Sequence, residues 1–366
     1  MLLLDLLATG RFEFDLSLHV LVQQQTSYLA ARYDRFISFI EGGAIRPATA
    51  QMIDAVTLPP VSSKSDIRAL EATCIRLAEG QRLWRKYTSG TTGPRTSVFY
   101  DDKFYFEQLF VCVRKVCALG GYPLRSNDRV LSIMGNTGYA DELFVDPCVD
   151  DLIYARIGCD ERDPVSIQKM WSTLELFAPS VVTVKPSLAE ALSLATWCLG
   201  LRIPVHRPKI VISSGQSLNH RARAAIDNIF GGRVINALIT TEAGLVAGQD
   251  REDDAWLVDR SALDVVMPAA GGGALRVTSD ANAIMRLSGY FLGDDVELLH
   301  DDCGRQRLRM IGGRPAAVAT FDSGLVIDLS RFDHVAFELI GANDYRLVCW
   351  PDQVLLSISD SNIGRV

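Results

Sequence analysis

The spacing of apolar positions changes along the chain. Before residue 80 it is helical: Leu16, His19, Val20 and Val22 begin a stripe, and Tyr28, Tyr33, Phe36 and Phe39 continue one. Leu58-Pro59-Pro60 breaks that pattern. Ser62, Ser63 and Ser65 lead into a new helix near Asp66, with Ser65 as its predicted N-cap. From about residue 84, short β-branched runs alternate with amphipathic stretches. Lys103 to Leu119 predicts a helix stopped by Gly120-Gly121. Arg129 to Met134, Val181 to Val184, Ile210 to Ile212 and Val234 to Ile239 predict strands. Val165 to Phe177, Leu188 to Leu199 and Asn219 to Phe230 predict helices, the first with Met170, Trp171, Leu174 and Phe177 on one face.

Strand–helix alternation at this spacing predicts an α/β layer with a largely parallel sheet, whose ligands bind beyond the carboxyl ends of the strands. After residue 255 the pattern turns to short strands between Gly, Asp and Asn: Trp256 to Val258, Leu263 to Val266, Ala274 to Val277, Val296 to Leu299 and Leu308 to Ile311. Leu325 to Leu329, Val335 to Leu339 and Tyr345 to Trp350 close the series. The expected organisation is a helical segment over 1–83, an α/β core over 84–255, a β-rich part over 256–314 and a short C-terminal portion over 315–366. No internal repeat or low-complexity tract interrupts it.

Composition narrows the class. Of 366 residues, 48% are hydrophobic and 22% charged, ordinary for a globular chain with room for two domains. With 37 basic against 44 acidic side chains the formal net charge is -7, which argues against a dedicated nucleic-acid binder. Mean hydropathy is +0.13, yet no run of ~18 apolar residues could span a bilayer. Asp5 interrupts the apolar start and no basic stretch precedes it, so no secretory signal is expected. The eight cysteines form no Cys-x-x-Cys, which points to reduced, mostly buried thiols in a cytoplasmic protein.

The sharpest local feature is Tyr87-Thr88-Ser89-Gly90-Thr91-Thr92-Gly93-Pro94-Arg95-Thr96-Ser97. Glycines let backbone N–H groups converge on an anion, hydroxyls add donors, and Arg95 adds fixed positive charge. Such a loop suits a triphosphate, although the Gly-Lys-Ser/Thr ending of a Walker loop is absent. A polar surface turn is the plain alternative.

This loop resembles the phosphate-binding loop of the adenylate-forming superfamily of acyl- and aryl-CoA ligases. Further segments resemble the phenylacetate-CoA ligase branch, and they follow in that branch's order. They are Leu58-Pro59-Pro60 with Lys64-Ser65-Asp66-Ile67-Arg68, then Val184-Lys185-Pro186-Ser187, Ser214-Gly215-Gln216-Ser217-Leu218 and Thr240-Thr241-Glu242-Ala243-Gly244. Gly272 to Thr278, Tyr290-Phe291-Leu292-Gly293-Asp294 and Gly313-Arg314 complete the series. The resemblance implies a large adenylate-forming α/β domain with parallel sheets flanked by helices, a β-rich subdomain, and a small or vestigial C-terminal domain. It implies activation of a small carboxylic acid, aryl or amino acid, as an acyl-adenylate, with transfer to coenzyme A, a carrier protein or an amine. ATP and Mg²⁺ are the implied cofactors. By resemblance Ser89, Gly90, Thr91, Thr92, Gly93 and Arg95 hold the β,γ-phosphates, Thr241 touches the α-phosphate and Glu242 ligates Mg²⁺. Gly215 and Gln216 line the adenine, Asp294 takes the ribose hydroxyls, and Arg314 assists there. Phe106, Phe110, Asn136 and Tyr139 are the implied acid-pocket residues. Asp141 and Glu142 are an alternative set that would recognise an amine on the substrate.

The chain also departs from the family pattern. Leu238 and Ile239 replace the aromatic and glycine of "Tyr-Gly-x-Thr-Glu", and Phe291 and Leu292 replace the arginine and threonine of "Tyr-Arg-Thr-Gly-Asp". No lysine follows Lys209, so the family's C-terminal lysine has no counterpart. Slow adenylation, a partner-supplied lysine or an altered pseudo-ligase that binds nucleotide without full turnover are the alternatives. The size and loop also resemble acyl-protein synthetases, in which a C-terminal cysteine accepts the acyl group. Cys349 is the candidate, and a core thiol in a strand is its plain reading. A membrane partner is not expected, and a homodimer is left open.

Overall fold

The computed structural model describes residues 58–80, 83–88, 96–101, 104–105, 107–135, 142–146, 149, 152–216, 218–249, 255–259, 263–266, 273–312 and four short strands between 318 and 358. The helical stripes expected before Leu58 and the strand expected at Val335 to Leu339 lie outside these residues.

Helix α1 spans Lys64–Gly80. Its start is a reciprocal cap: Ser63 Oγ accepts from the Asp66 N–H (3.3 Å), and Asp66 Oδ2 accepts from Ser62 N and Oγ (2.8 Å each). The capping residue is therefore Ser63, not the expected Ser65. Ser63 lies three residues before the N–H it caps, while the Ser65 hydroxyl is engaged with Ser63 Oγ (2.7 Å). Strands β1 (Trp84–Tyr87) and β2 (Ser97–Tyr100) then form an antiparallel hairpin.

The helix expected from Lys103 to Leu119 is not one uniform α-helix. Phe104 and Tyr105 are helical, Glu107–Val111 forms a π-helical turn, and α2 (Cys112–Leu119) completes it. A π turn adds one residue without disturbing apolar spacing enough to show in sequence.

The main sheet is built from β3 (Arg129–Gly135), β4 (Glu142–Val145), β5 (Ile153–Cys159), β6 (Val181–Val184), β7 (Ile210–Ser214), β8 (Arg233–Thr240) and β9 (Gly244–Gln249), continued by β10 (Trp256–Val258), β11 (Asp264–Val266), β12 (Gly273–Ser279), β13 (Leu287–His300) and β14 (Gln306–Gly312). Its order is β11-β12-β13-β14-β10-β9-β8-β7-β6-β3-β5-β4. Strands β5, β3, β6, β7 and β8 run parallel, as the alternation predicts, and the rest pair antiparallel.

Helices α3 (Pro164–Phe177), α4 (Pro186–Cys198) and α5 (His220–Ile229) connect the parallel strands. Asp163 caps α3 through Val165 N and Ser166 N, and Asn219 caps α5 through Ala222 N. One sheet face (Leu131, Ile133, Val182, Val211) packs on Ile167, Leu174, Phe177 and Ile226 of these helices. The other (Val130, Tyr154, Val181, Ile235) packs on Val116 and Cys117 of α2 and on Phe99 and Tyr100 of β2. Burial on both faces explains the consecutive apolar residues Val181-Val182 of β6 and Ile210-Val211-Ile212 of β7, each fully buried Val or Ile contributing roughly 1.5–3 kcal/mol. Helix α2 approaches closely at its end: a Cβ on Gly120 would lie 2.0 Å from Ile235 Cδ1.

The expected strand Val296 to Leu299 is only the second half of β13. Asp294 and Asp295 have a hairpin turn as their plain alternative in sequence, but the strand carries them through register shifts against β12 and β14. Beyond the sheet, β15 (Val318–Thr320) pairs with β16 (Val326–Asp328), and β17 (Tyr345–Cys349) with β18 (Val354–Ile358).

Candidate functional site

Strand β8 ends at Thr240, and Thr241-Glu242-Ala243 turns the chain back into β9. Thr240 Oγ1 accepts from the Ala243 N–H (2.9 Å). Gly244 closes the turn at φ +78, with the Gln108 amide where a Cβ would stand. The turn thereby holds Glu242 at 7% exposure, where its carboxylate needs partners. Tyr290 Oη donates to Glu242 Oε1 (3.1 Å), and Tyr100 Oη donates to the Thr241 carbonyl. Burial first, then the Glu242 charge, pushes the Tyr100 phenol above its ordinary pKa, so it stays a neutral donor.

Tyr100 connects this turn to the glycine–threonine loop. It lies three residues beyond Ser97, on the strand that leaves the loop. The base of the loop is closed by Thr88 N donating to Thr96 O and Thr96 N donating to Thr88 Oγ1, both 3.0 Å. Helix α1 grips that base from outside: Arg68 Nε donates to Thr96 Oγ1 (3.1 Å), and Glu71, Arg85 and Ser97 form a closed set of contacts of 2.6–2.7 Å. Ser89, Gly90, Thr91, Thr92, Gly93 and Arg95 lie outside the described residues. What is described is their frame, within one strand of Glu242.

Asp294 is half-buried on β13, four residues from Tyr290. It falls where Arg276↔Phe291 gives way to Ala274↔Asp295, so extra β13 residues bulge there. A bulge re-aims side chains that a regular pleat would send to alternate faces. Arg314 lies outside the described residues, two positions past Gly312, which stands opposite Asp295.

Gly215 follows β7 directly at φ +84, with Lys185 Cε 3.8 Å from where its Cβ would stand. Gln216 Oε1 accepts from Ser187 N at the start of α4. Ser214 pairs with Ala237, so Gly215 comes beside Leu238 at the carboxyl edge of the sheet. Of the expected acid-pocket residues, Phe110 is described: it is 3% exposed, edge-on to Tyr154 with centroids 4.8 Å apart. Phe106, Asn136 and Tyr139 lie outside the described residues, as does Asp141.

The structure thus brings Thr241, Glu242 and the ends of the loop together, with Asp294 four residues along β13 from the tyrosine that binds Glu242. Sequence reasoning missed Tyr100 and had no role for Tyr290 or Arg68. Arg68 and Tyr290 stand inside the quoted motifs, whereas Tyr100, an aromatic in a short strand, reads as core. Among the described residues no three His, Cys, Asp or Glu side chains cluster to cage a metal. A single buried carboxylate with one oxygen toward Tyr290 does fit Mg²⁺, which takes one or two carboxylates and completes its shell with phosphate and water. No described helix is long and apolar enough to cross a membrane.

No protein-family model and no curated protein matches the chain. Solved structures do. 2-Hydroxyisobutyryl-CoA ligase in the postadenylation state, in complex with 2-HIB-AMP, superposes with a TM-score of 0.60 at 18% identity, over 83% of this chain and 69% of that one. An open conformation of the same ligase, with 2-HIB-AMP and CoA, gives 0.57 at 18%, over 91% and 81%. An anthranilate CoA ligase in complex with anthranoyl-AMP gives 0.50 at 16%, over 76% and 58%. At these identities the likeness is one of fold: the chain folds as these CoA ligases do, as its motifs led us to expect.

Proposed function

We propose that the chain is an ATP-dependent, AMP-forming ligase that activates a small carboxylic acid and passes it to a thiol or amine acceptor. The observation that carries this reading is the meeting, at the Thr241-Glu242 turn, of the glycine–threonine loop's frame through Tyr100 and of β13 through Tyr290. In this reaction an acid oxygen attacks the α-phosphorus of ATP, pyrophosphate leaves, and the acceptor then displaces AMP from the acyl-adenylate. Charge accumulates on phosphoryl oxygens in the first step, so preset donors carry much of the catalysis. Ser89, Thr91, Thr92 and Arg95 hold the β,γ-phosphates in this reading, and Thr241 meets the α-phosphate. Leu238, Gly215 and Gln216 border the adenine, and Asp294, with Arg314, takes the ribose. Glu242 holds Mg²⁺, which supplies charge screening to the polyphosphate. Tyr290 fixes the Glu242 carboxylate, and Tyr100 fixes the turn that presents it.

The test is pyrophosphate release from ATP across a panel of acids. Glu242→Gln keeps the side chain's size and the Tyr290 hydrogen bond but removes the charge, and kcat/KM should fall by about 100-fold or more. Unchanged turnover in that variant overturns the assignment. Offering coenzyme A, a carrier protein and free amines in turn identifies the acceptor.

A second reading has one residue in its favour. Leu238 is partly buried against the core where the family offers an aromatic to adenine, which suits a protein that holds nucleotide weakly without turning it over. Nucleotide binding with no pyrophosphate release from any acid would favour it. Should Cys349 accept the acyl group, Cys349→Ser blocks transfer; otherwise it leaves activity intact.

A further inference from the structure

The face of the sheet that meets α2 is apolar at Val130, Tyr154 and Val181, but one pleat further toward the strand ends it turns polar. Ser132 on β3, Thr183 on β6 and Arg156 on β5 stand side by side in register. The Ser132 and Thr183 hydroxyl oxygens are 2.6 Å apart. Above them lies a cavity of about 40 Å³ under Phe110 of the π turn and Val113 of α2, with Tyr154 on its wall. All three side chains are half-buried and line the cavity, so they give it a polar floor within an otherwise apolar face.

The topology singles out the same place. The chain leaves β3 toward β4 and β5, and leaves β6 toward β7, so the connections diverge and open a crevice at the carboxyl ends of β3 and β6. Ligands of α/β sheets bind at such points. A π turn beside the crevice is a further mark of a functional position.

Size and chemistry then limit the occupant. A volume of about 40 Å³ takes roughly two or three water-sized atoms, well short of the ~150 Å³ that admits a benzene ring. When one hydroxyl of the pair donates to the other, one O–H and several lone pairs remain for a ligand. The Tyr154 hydroxyl is directed at Asp146 Oδ2 (3.2 Å) and Phe110 O (3.4 Å), so it shapes the wall.

We propose that this cavity holds the tail of the activated acid, and that Ser132 and Thr183 select a short acid with an oxygen-bearing tail, hydroxyl or carboxylate, over alkyl or aryl acids. This rests on the ligase reading, and it makes the two hydroxyls specificity-determining residues. A hydroxyl-bearing tail replaces the hydrogen bonds of the cavity's own polar groups, whereas a methyl group of the same shape leaves them unmet.

The experiment compares isosteric acids: 3-hydroxybutyrate with 3-methylbutyrate, 4-hydroxybutyrate with pentanoate, and succinate with 4-methylpentanoate, with phenylacetate as the aryl arm. Each is followed by calorimetric binding to the full chain and, with MgATP, by pyrophosphate release. The wild-type protein should prefer the oxygenated member of a pair by about fivefold to tenfold. Thr183→Val and Ser132→Ala should each bring that preference near one, mainly by weakening the oxygenated acid. Two separate single-atom changes keep the test available if one variant fails to fold. Whether succinate or the hydroxy acids gain most separates a carboxylate tail from a hydroxyl tail. Pyrophosphate release with equal or reversed preference, or a preference that survives both substitutions, overturns the inference and leaves the ligase reading standing. Selective binding without pyrophosphate release leaves the pocket standing and overturns the ligase reading. Absence of both binding and release overturns both.

Discussion

Glu242 shows what a residue's environment adds to its identity. Its place after Thr241 was legible as a motif, but its hydrogen bond from Tyr290, 48 positions away, was not. The cysteines give a sharper case. Cys74, Cys112, Cys117 and Cys159 are buried, as expected of thiols in apolar segments, and desolvation pushes the first up to about 11 and the others up to about 12. Cys198 and Cys303 are the exposed exceptions among the described cysteines, because one ends a helix and the other sits in a hairpin turn. With a pKa near 12, on the order of one thiol in 10⁴ is a thiolate at pH 8. A disulfide reagent at that pH should modify Cys198 and Cys303 in the folded protein and spare the four buried thiols. Peptide mapping reads the outcome, and fast labelling of any of the four contradicts the packing described above. Cys349 lies on β17, and its side chain is outside the described residues.

At the scale of elements, local chemistry placed helices and strands well wherever one periodicity held. Val181–Val184 and Trp256–Val258 occur as expected. The departures come where a local signal has two readings. Ser63 and Ser65 both look like caps, and only the position of the Asp66 N–H decides between them. Asp294 and Asp295 could equally form a turn, and only pairing with β12 and β14 draws them into a strand. The turn after β13 carries a pH prediction. Asp301 Oδ1 accepts from Arg305 N and Cys303 N, and Oδ2 from Arg305 Nε and Arg307 Nε. These bonds, the Arg305 backbone first, lower its carboxyl to about 2. A depressed folded-state pKa means that the turn's stabilisation is fully present above the unfolded value, about 3.9, and is lost as pH falls toward 2. Carboxyl chemical shifts of labelled aspartate should show Asp301 still ionised at pH 3, and a midpoint near 4 would contradict the turn geometry.

Across the whole molecule, the β-rich strands return to the hairpin that carries the glycine–threonine loop. Asn282, 2% exposed, donates through Nδ2 to the Phe99 carbonyl (2.9 Å), and the Ala283 N–H reaches Asp101 Oδ2 (2.9 Å). Val61 bridges to Leu287 beside them. Asn282→Ala should cost about 1–3 kcal/mol, since it leaves a buried carbonyl without its donor. Chemical denaturation measures this, and a midpoint equal to the wild type would show that the contact carries no load. The parallel α/β layer, the phosphate-suited loop and the order of the motifs are legible in the chain, because periodicity, glycine content and hydroxyl content are properties of neighbouring residues. That Tyr100 meets Thr241 across 141 positions, that Tyr290 meets Glu242, and that Ser132 faces Thr183 across 51 emerges from the folded chain alone. Those contacts depend on strand order, register and bulges, which are set by burying two faces of one sheet at once and leave no trace in any short stretch of chain.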